Sequence, residues 1–151
     1  LVSFASYDLW LHWRHPAIHL ARLFADYEPG IHYSQVQMQS GTTGINTLRI
    51  YNPIKQSMDQ DPDGVFIRKW VPELAGLLGP MIHTPWQATE LEQLAAGCVI
   101  GRHYPEPIVD HAEASRWARS RFATVRASTA GKTDRQKIVT KHGSRKGMQK
   151  Q

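Results

Sequence analysis

The chain has 151 residues, 41% of them hydrophobic, with five Trp and a formal net charge of +5. That is enough for one cored domain and excludes an intrinsically disordered chain. A single cysteine, Cys98, excludes an intrachain disulfide and a Cys-based zinc site, and suits a reducing cytoplasm. No apolar run approaches the roughly 20 residues that cross a bilayer, and Leu1-Val2-Ser3-Phe4 lacks the basic start of a signal peptide. An opening without Met reads as a cut inside a helix. The positive charge is local: Lys132 to Lys150 holds seven Lys/Arg against one Asp, so the remainder is near neutral. Basic pI alone is therefore no evidence that the folded part binds DNA.

Leu1 to Arg14 reads as a helix with Val2, Phe4, Leu9, Trp10 and Trp13 on a wide apolar stripe. Pro16 starts a second helix to about Ala25, with Ile18, Leu20, Leu23 and Phe24 inward. His15 and His19 stand at i, i+4 with His12 nearby, but no carboxylate completes a metal set, and no metal is expected. Asp26 to Gln39 holds acids, a His and three Gln. Gly41 to Asn46 is a turn-rich linker without the Lys of a phosphate loop.

The run from Arg49 to Leu74 organises the chain. Asn52 is a good N-cap and Pro53 a good first helical residue. Asp61 repeats the device before Pro62, and Phe66, Ile67 and Trp70 form a helical stripe expected to be buried. Pro72 ends that helix or restarts another. Thr84 and Pro85 open a further helix, and Leu91, Leu94 and Ala95 continue at helical spacing to Gly97. Asp110 caps a helix to about Val125, studded with Arg116, Arg119, Arg121 and Arg126 as a solvated face. Composition makes residues 129–151 a basic, disordered tail after a domain over 1–128.

The pattern R-I-Y-N-P-x-x-Q, then D-x-x-G-x-F-I-R-x-W-V-P-E-L, and later Tyr104-Pro105-Glu106-Pro107-Ile108-Val109-Asp110-His111, resembles the FAD-binding helical domain of DNA photolyases and cryptochromes. The resemblance runs from Leu1 to about His111. It implies an all-α fold, the C-terminal portion of that domain, with FAD as cofactor. It also implies that the rest of the pocket precedes Leu1 in the same protein, so the 151 residues alone bind FAD poorly. Asp26-x-Glu28, His32 and Gln37-x resemble the flavin-cradling loop. Asp26 then pairs with an upstream Arg, Glu28 lies at the pyrimidine edge and His32 faces flavin N5, where it sets which redox state persists. That alignment needs a short gap before Arg49; a gap-free one puts Gly30 at N5 and loses the Gln match.

Trp13 falls on the family's middle electron-transfer Trp, or is simply a core residue. Val36 and Met38 replace the two Trp that usually abut flavin and flipped lesion, which interrupts the ordinary electron route at Val36. Arg49 is implied as a DNA-backbone contact, or a partner of Asp61 or Asp63, and Gln56 lies beside the lesion. Asp59 stands where the family often has Lys and would repel phosphate. The resemblance thus implies light-driven repair of UV-induced pyrimidine dimers in DNA. Two alternatives stay open: a cryptochrome-like blue-light receptor without repair activity, or a flavin-free helical module.

Overall fold

A computed structural model describes residues 1–142. They are helical; among them the sole bridge pairing joins Ile100 and Tyr104. The chain divides into a unit built from Leu1–Ile50 with His111 onward, and a unit formed by Tyr51–Asp110.

In the first unit a π-helical turn, Phe4–Asp8, is followed by α1 (Arg14–Leu23) and α2 (Pro29–Gln39), then α6 (His111–Ala127) and α7 (Thr129–His142). The expected continuous helix to Arg14 is broken. Leu9 ends it, Trp10 turns into the left-handed region (φ 52°), and the Leu11 N–H reaches back to the Ala5 carbonyl at 2.9 Å. Left-handed backbone costs a bulky residue about 1–3 kcal/mol. Ring packing offsets it: Trp10 meets Trp117 edge-on at 4.5 Å and Phe122 at 5.8 Å. The same turn buries Tyr7, whose hydroxyl donates to the Gln39 carbonyl at 2.8 Å. Burial, partly opposed by the Arg126 charge, pushes the Tyr7 phenol up to about 12. Gly41 (φ +71°) lets the chain pass, since a Cβ there would sit 2.9 Å from the Tyr7 hydroxyl. Asp8 is buried and hydrogen-bonded to His111 at the start of α6. In α1 the inward residues are Pro16, Ala17 and Leu20; Ile18, Leu23 and Phe24, expected inside, are exposed.

The tail departs most from expectation. Ser128 closes α6 through its N–H to the Thr124 carbonyl and opens α7 by accepting the Gly131 N–H at 3.1 Å. Backbone approaches so closely at this joint that a Cβ on Gly131 would lie 2.1 Å from the Val125 carbonyl oxygen. The Ile138 side chain then reaches the Gly44 turn. Thr129–His142 is therefore helix where composition predicts disorder; residues 143–151, the rest of that expected tail, lie outside the described residues.

The second unit holds α3 (Pro53–Gln60), α4 (Val65–Trp70), α5 (Glu90–Ala95) and three 3₁₀ turns at Pro72–Leu74, Gly79–Ile82 and Pro85–Gln87. Its core is Leu74, Leu77, Ile82, Ala88 and Cys98. Asn52 caps α3 as expected, its Oδ1 accepting from Ile54 and Lys55 N–H at 2.9 and 3.1 Å. Asp61 caps at a distance: α4 begins at Val65 and not at Pro62, and the carboxylate accepts from Phe66 and Ile67 N–H across a turn closed by left-handed Gly64. The expected buried stripe is half turned outward. Ile67 packs on the core, while Phe66 and Trp70 are 65% and 62% exposed, with the Lys69 ammonium 5.0 Å from the Trp70 ring. Leu91 and Leu94 are likewise exposed, on a helix fixed by a Thr89–Glu92 capping box. His83 is buried; its Nε2 faces the Pro62 carbonyl and its Nδ1 lies 2.7 Å from Ser57 Oγ, which donates to it.

Burial alone would raise the Asp61 carboxyl, but N–H donors of Ile67, Phe66 and Val65, with the His83 ring, hold it below the ordinary 3.8. A carboxyl lowered by folding stabilises above its unfolded value, and that stabilisation is lost as pH falls through the folded one. Asp61→Asn is therefore expected to flatten the acid limb of urea stability below about pH 4 while leaving its pH dependence near neutrality unchanged. Parallel acid limbs in the two proteins would contradict this role.

Candidate functional site

The α1–α2 connection and the first turn of α2 form the candidate site. Residues 22–31 are all exposed, a long uncovered stretch that carries Asp26 and Glu28 beside Leu23, Phe24 and Ile31. Glu28 is extended (φ −130°), caps α2 and precedes Pro29 at its first position. Its Oε2 accepts the Ile31 N–H at 2.8 Å; Oε1 takes no hydrogen bond among the described residues. An acid at a helix N-terminus is favoured by the dipole as well as by that bond. Gly30 keeps the carboxylate in place, because a Cβ would come within 3.2 Å of Glu28 Oε2.

His32 lies one turn further and is buried. Its Nε2 is 2.8 Å from the Ala17 carbonyl oxygen in α1. A carbonyl only accepts, so Nε2 carries the proton, and in the neutral ring Nδ1 is left as an acceptor. Phe24 at 5.8 Å, with Tyr27 and Tyr33 both at 5.3 Å, meet the imidazole edge-on. Contact with Tyr33 first, then burial, holds the Tyr27 phenol above its ordinary 10.0. Val36 occupies the next turn of the same buried face. Met38 is six positions from His32, about 120° around α2, so the two point to different sides.

Trp13 stands at the head of α1, half-buried, with the Arg14 guanidinium 5.5 Å from its ring. It meets Tyr33 edge-on at 6.5 Å, and Tyr33 meets His32, so rings run without a break from Trp13 to His32. Sequence reading passed over Tyr27 and Tyr33; aromatic residues at i+1 and i+7 of the Asp26 acid were the available signal. Arg49 closes the first segment of this unit with an exposed side chain, its carbonyl accepting from Ser3 Oγ at 3.4 Å. Gln56 is exposed on α3 of the second unit, where Asp59 pairs with Lys55 at 2.6 Å. That exposed i, i+4 pair offsets some of the charge that Asp59 would set against a phosphate. The three histidines His12, His15 and His19 are exposed, and no metal-holding cluster of His, Cys, Asp and Glu occurs among the described residues.

The structure thus gathers Trp13, Tyr27, His32 and Tyr33 in one ring cluster and leaves Asp26 and Glu28 on the surface beside it. Flavin chemistry fits these side chains: a carboxylate acceptor suits an N–H of a pyrimidine edge, and uncovered Phe24 and Ile31 offer apolar area to a planar ring.

In a helical unit, an acid and apolar surface beside a buried imidazole fits a cofactor-binding helical domain. Residues 1–124 match the FAD binding domain of DNA photolyase. A deoxyribodipyrimidine photo-lyase of Alkalihalophilus pseudofirmus is 36% identical over 122 residues, covering 80% of this chain and 26% of the relative. Cryptochrome-1 of Gallus gallus is 36% identical over 110 residues, covering 72% and 18%. The crystal structure of a bacterial class III photolyase from Agrobacterium tumefaciens superposes with a TM-score of 0.78 at 32% identity, covering 84% of this chain and 27% of that one. The chain belongs to the DNA photolyase and cryptochrome family, as part of its FAD-binding domain, and spans about a quarter of the length of the photolyases it matches. FAD is the cofactor of that domain. No helix among the described residues is long and apolar enough to cross a membrane.

Proposed function

We propose that the protein to which this chain belongs repairs UV-induced pyrimidine dimers in DNA, using light and bound FAD. The carrying observation is the Asp26/Glu28 acid surface backed by His32, whose tautomer the Ala17 carbonyl fixes. Bound and reduced, FAD supplies the light-excited electron donor. Glu28 holds its polar edge, Asp26 pairs with an Arg from the remainder of the same protein, and His32, presenting Nδ1 as an acceptor, sets the protonation next to N5. Arg49 forks onto a lesion-strand phosphate, Gln56 lies beside the lesion, and Met38 replaces an indole against the flipped bases. Trp13 feeds the site through Tyr33, because Val36 cannot. The partners are lesion-containing DNA and the remainder of the same protein. The buried thiol of Cys98 suits a reducing cytoplasm.

A receptor role is favoured by a different observation: Val36 is a well-buried packing residue at a position that needs a redox-active ring for ordinary photoreduction. The full-length protein, purified in the dark, is expected to absorb blue light and to remove dimers from irradiated oligonucleotides only when illuminated. A coloured protein that leaves dimers intact indicates the receptor; a colourless folded one rules out both readings.

A further inference from the structure

Charge is divided unevenly along this chain. Residues 1–110 carry seven Lys/Arg against eleven Asp/Glu, whereas residues 111–142 carry eight against two. The second group is structured. Arg116, Arg119, Arg121 and Arg126 are all exposed on α6, and Arg116, Arg119 and Arg126 fall within about 80° of one another around its axis. On α7, Lys137 and Lys141 line a shallow groove with Thr133, Gln136 and Thr140. Both threonine hydroxyls donate to carbonyls four residues back, Thr133 to Thr129 and Thr140 to Gln136, so the outward donors of the groove are the two ammonium groups and the Gln136 amide. Ile138, on the other flank, rests on the Gly44 turn and fixes which side faces out.

α7 has no fully buried residue and no apolar face, and a 14-residue helix of this kind is marginal alone. Its like charges oppose the helix further, and the ion pair in it, Lys137–Asp134, is long at 4.0 Å. The absence of an apolar face argues against a membrane surface, which takes amphipathic helices. A closely spaced array of phosphates complements the surface: it neutralises the repulsion and accepts from guanidinium forks and ammonium groups alike.

We propose that α6 and α7 form a contact for the sugar-phosphate backbone of duplex DNA that requires neither lesion, flavin nor light. It does not rest on the repair reading. It holds undamaged DNA through Arg116, Arg119, Lys137 and Lys141 and so raises the local concentration of duplex around the protein.

The test measures binding of the 151-residue chain to a fluorescent, unirradiated duplex in the dark, by anisotropy over a salt series. Each phosphate contact contributes about 0.9 to the slope of log K against log salt. The R116Q/R119Q/K137Q/K141Q variant is expected to lose about 3.6 of that slope and to bind more than about tenfold more weakly at 0.1 M salt. K69Q/R102Q, in the other unit, is expected to match the parent. An R116Q/R119Q variant, changed only on α6, should lose about 1.8 of the slope, half the quadruple variant's loss, and serves if that variant melts early by circular dichroism. Three results overturn the proposal: no binding of unirradiated duplex at low salt, equal slopes for the parent and the α6/α7 variants, or capture by phosphatidylserine vesicles in preference to duplex. Failure of repair in the full-length protein leaves this measurement untouched.

Discussion

His32→Ala is expected to destabilise the first unit by about 3–5 kcal/mol, the range for emptying a buried aromatic site. The ring is buried among Phe24, Tyr27 and Tyr33, and α1 is tied to α2 through its bond to the Ala17 carbonyl. His32→Phe keeps an aromatic ring of somewhat larger size in the site and loses the hydrogen bond, about 1 kcal/mol. The pair separates packing from chemistry. Urea denaturation should rank parent, His32→Phe and His32→Ala in that order. If His32 also sets the protonation of the cofactor, His32→Phe in the full-length flavoprotein should shift the flavin absorption spectrum although the fold persists. Equal stability of all three would show that the imidazole is not part of the packed interior.

Gly76→Ala carries the second large effect. Gly76 has an ordinary backbone, yet an added Cβ would lie 2.2 Å from the Ala96 carbonyl oxygen and 2.9 Å from its carbon. Backbone is the obstacle, so no rotamer relieves it, and either the Pro72–Leu74 turn or the end of α5 must move. Both flank the Leu74, Leu77 and Cys98 core. A loss of about 3 kcal/mol, the upper end for overpacking, is expected in the second unit. Gly79→Ala is the control: its Cβ meets nothing within 4 Å, so only its φ of +54° is penalised, by about 1 kcal/mol. A Gly76→Ala protein as stable as Gly79→Ala would refute the close approach.

What the sequence reveals follows from how locally each feature is determined. Asn52-Pro53 is read correctly because capping involves only the next three residues. The Arg49–Leu74 signature and the Tyr104–His111 run identify the family because so many side chains are specified together. Phe66 and Trp70 are misread because a six-residue helix has too few turns to show which side meets the core. The break at Trp10 has no Gly or Pro to mark it; the rings of α6, more than a hundred positions away, compensate it. Helix α7 is missed because composition reports the absence of a core, not the cap at Ser128 or the contact of Ile138 with the Gly44 turn. Among the site residues, the acids Asp26 and Glu28 announce themselves in sequence. The inward turn of His32 and its ring neighbours depends on α1, which spacing within α2 cannot convey.

The first unit is assembled from two stretches of chain, with the whole of Tyr51–Asp110 between them. On the ribosome the intervening unit is therefore complete before α6 is synthesised. Until then Tyr7 lacks Phe122, Trp10 lacks Trp117 and Asp8 lacks His111. Translation order therefore places the closing of α6 over the Phe4–Asp8 turn after the synthesis of Tyr51–Asp110, and these side chains stay uncovered, open to chaperones and proteases, up to that moment.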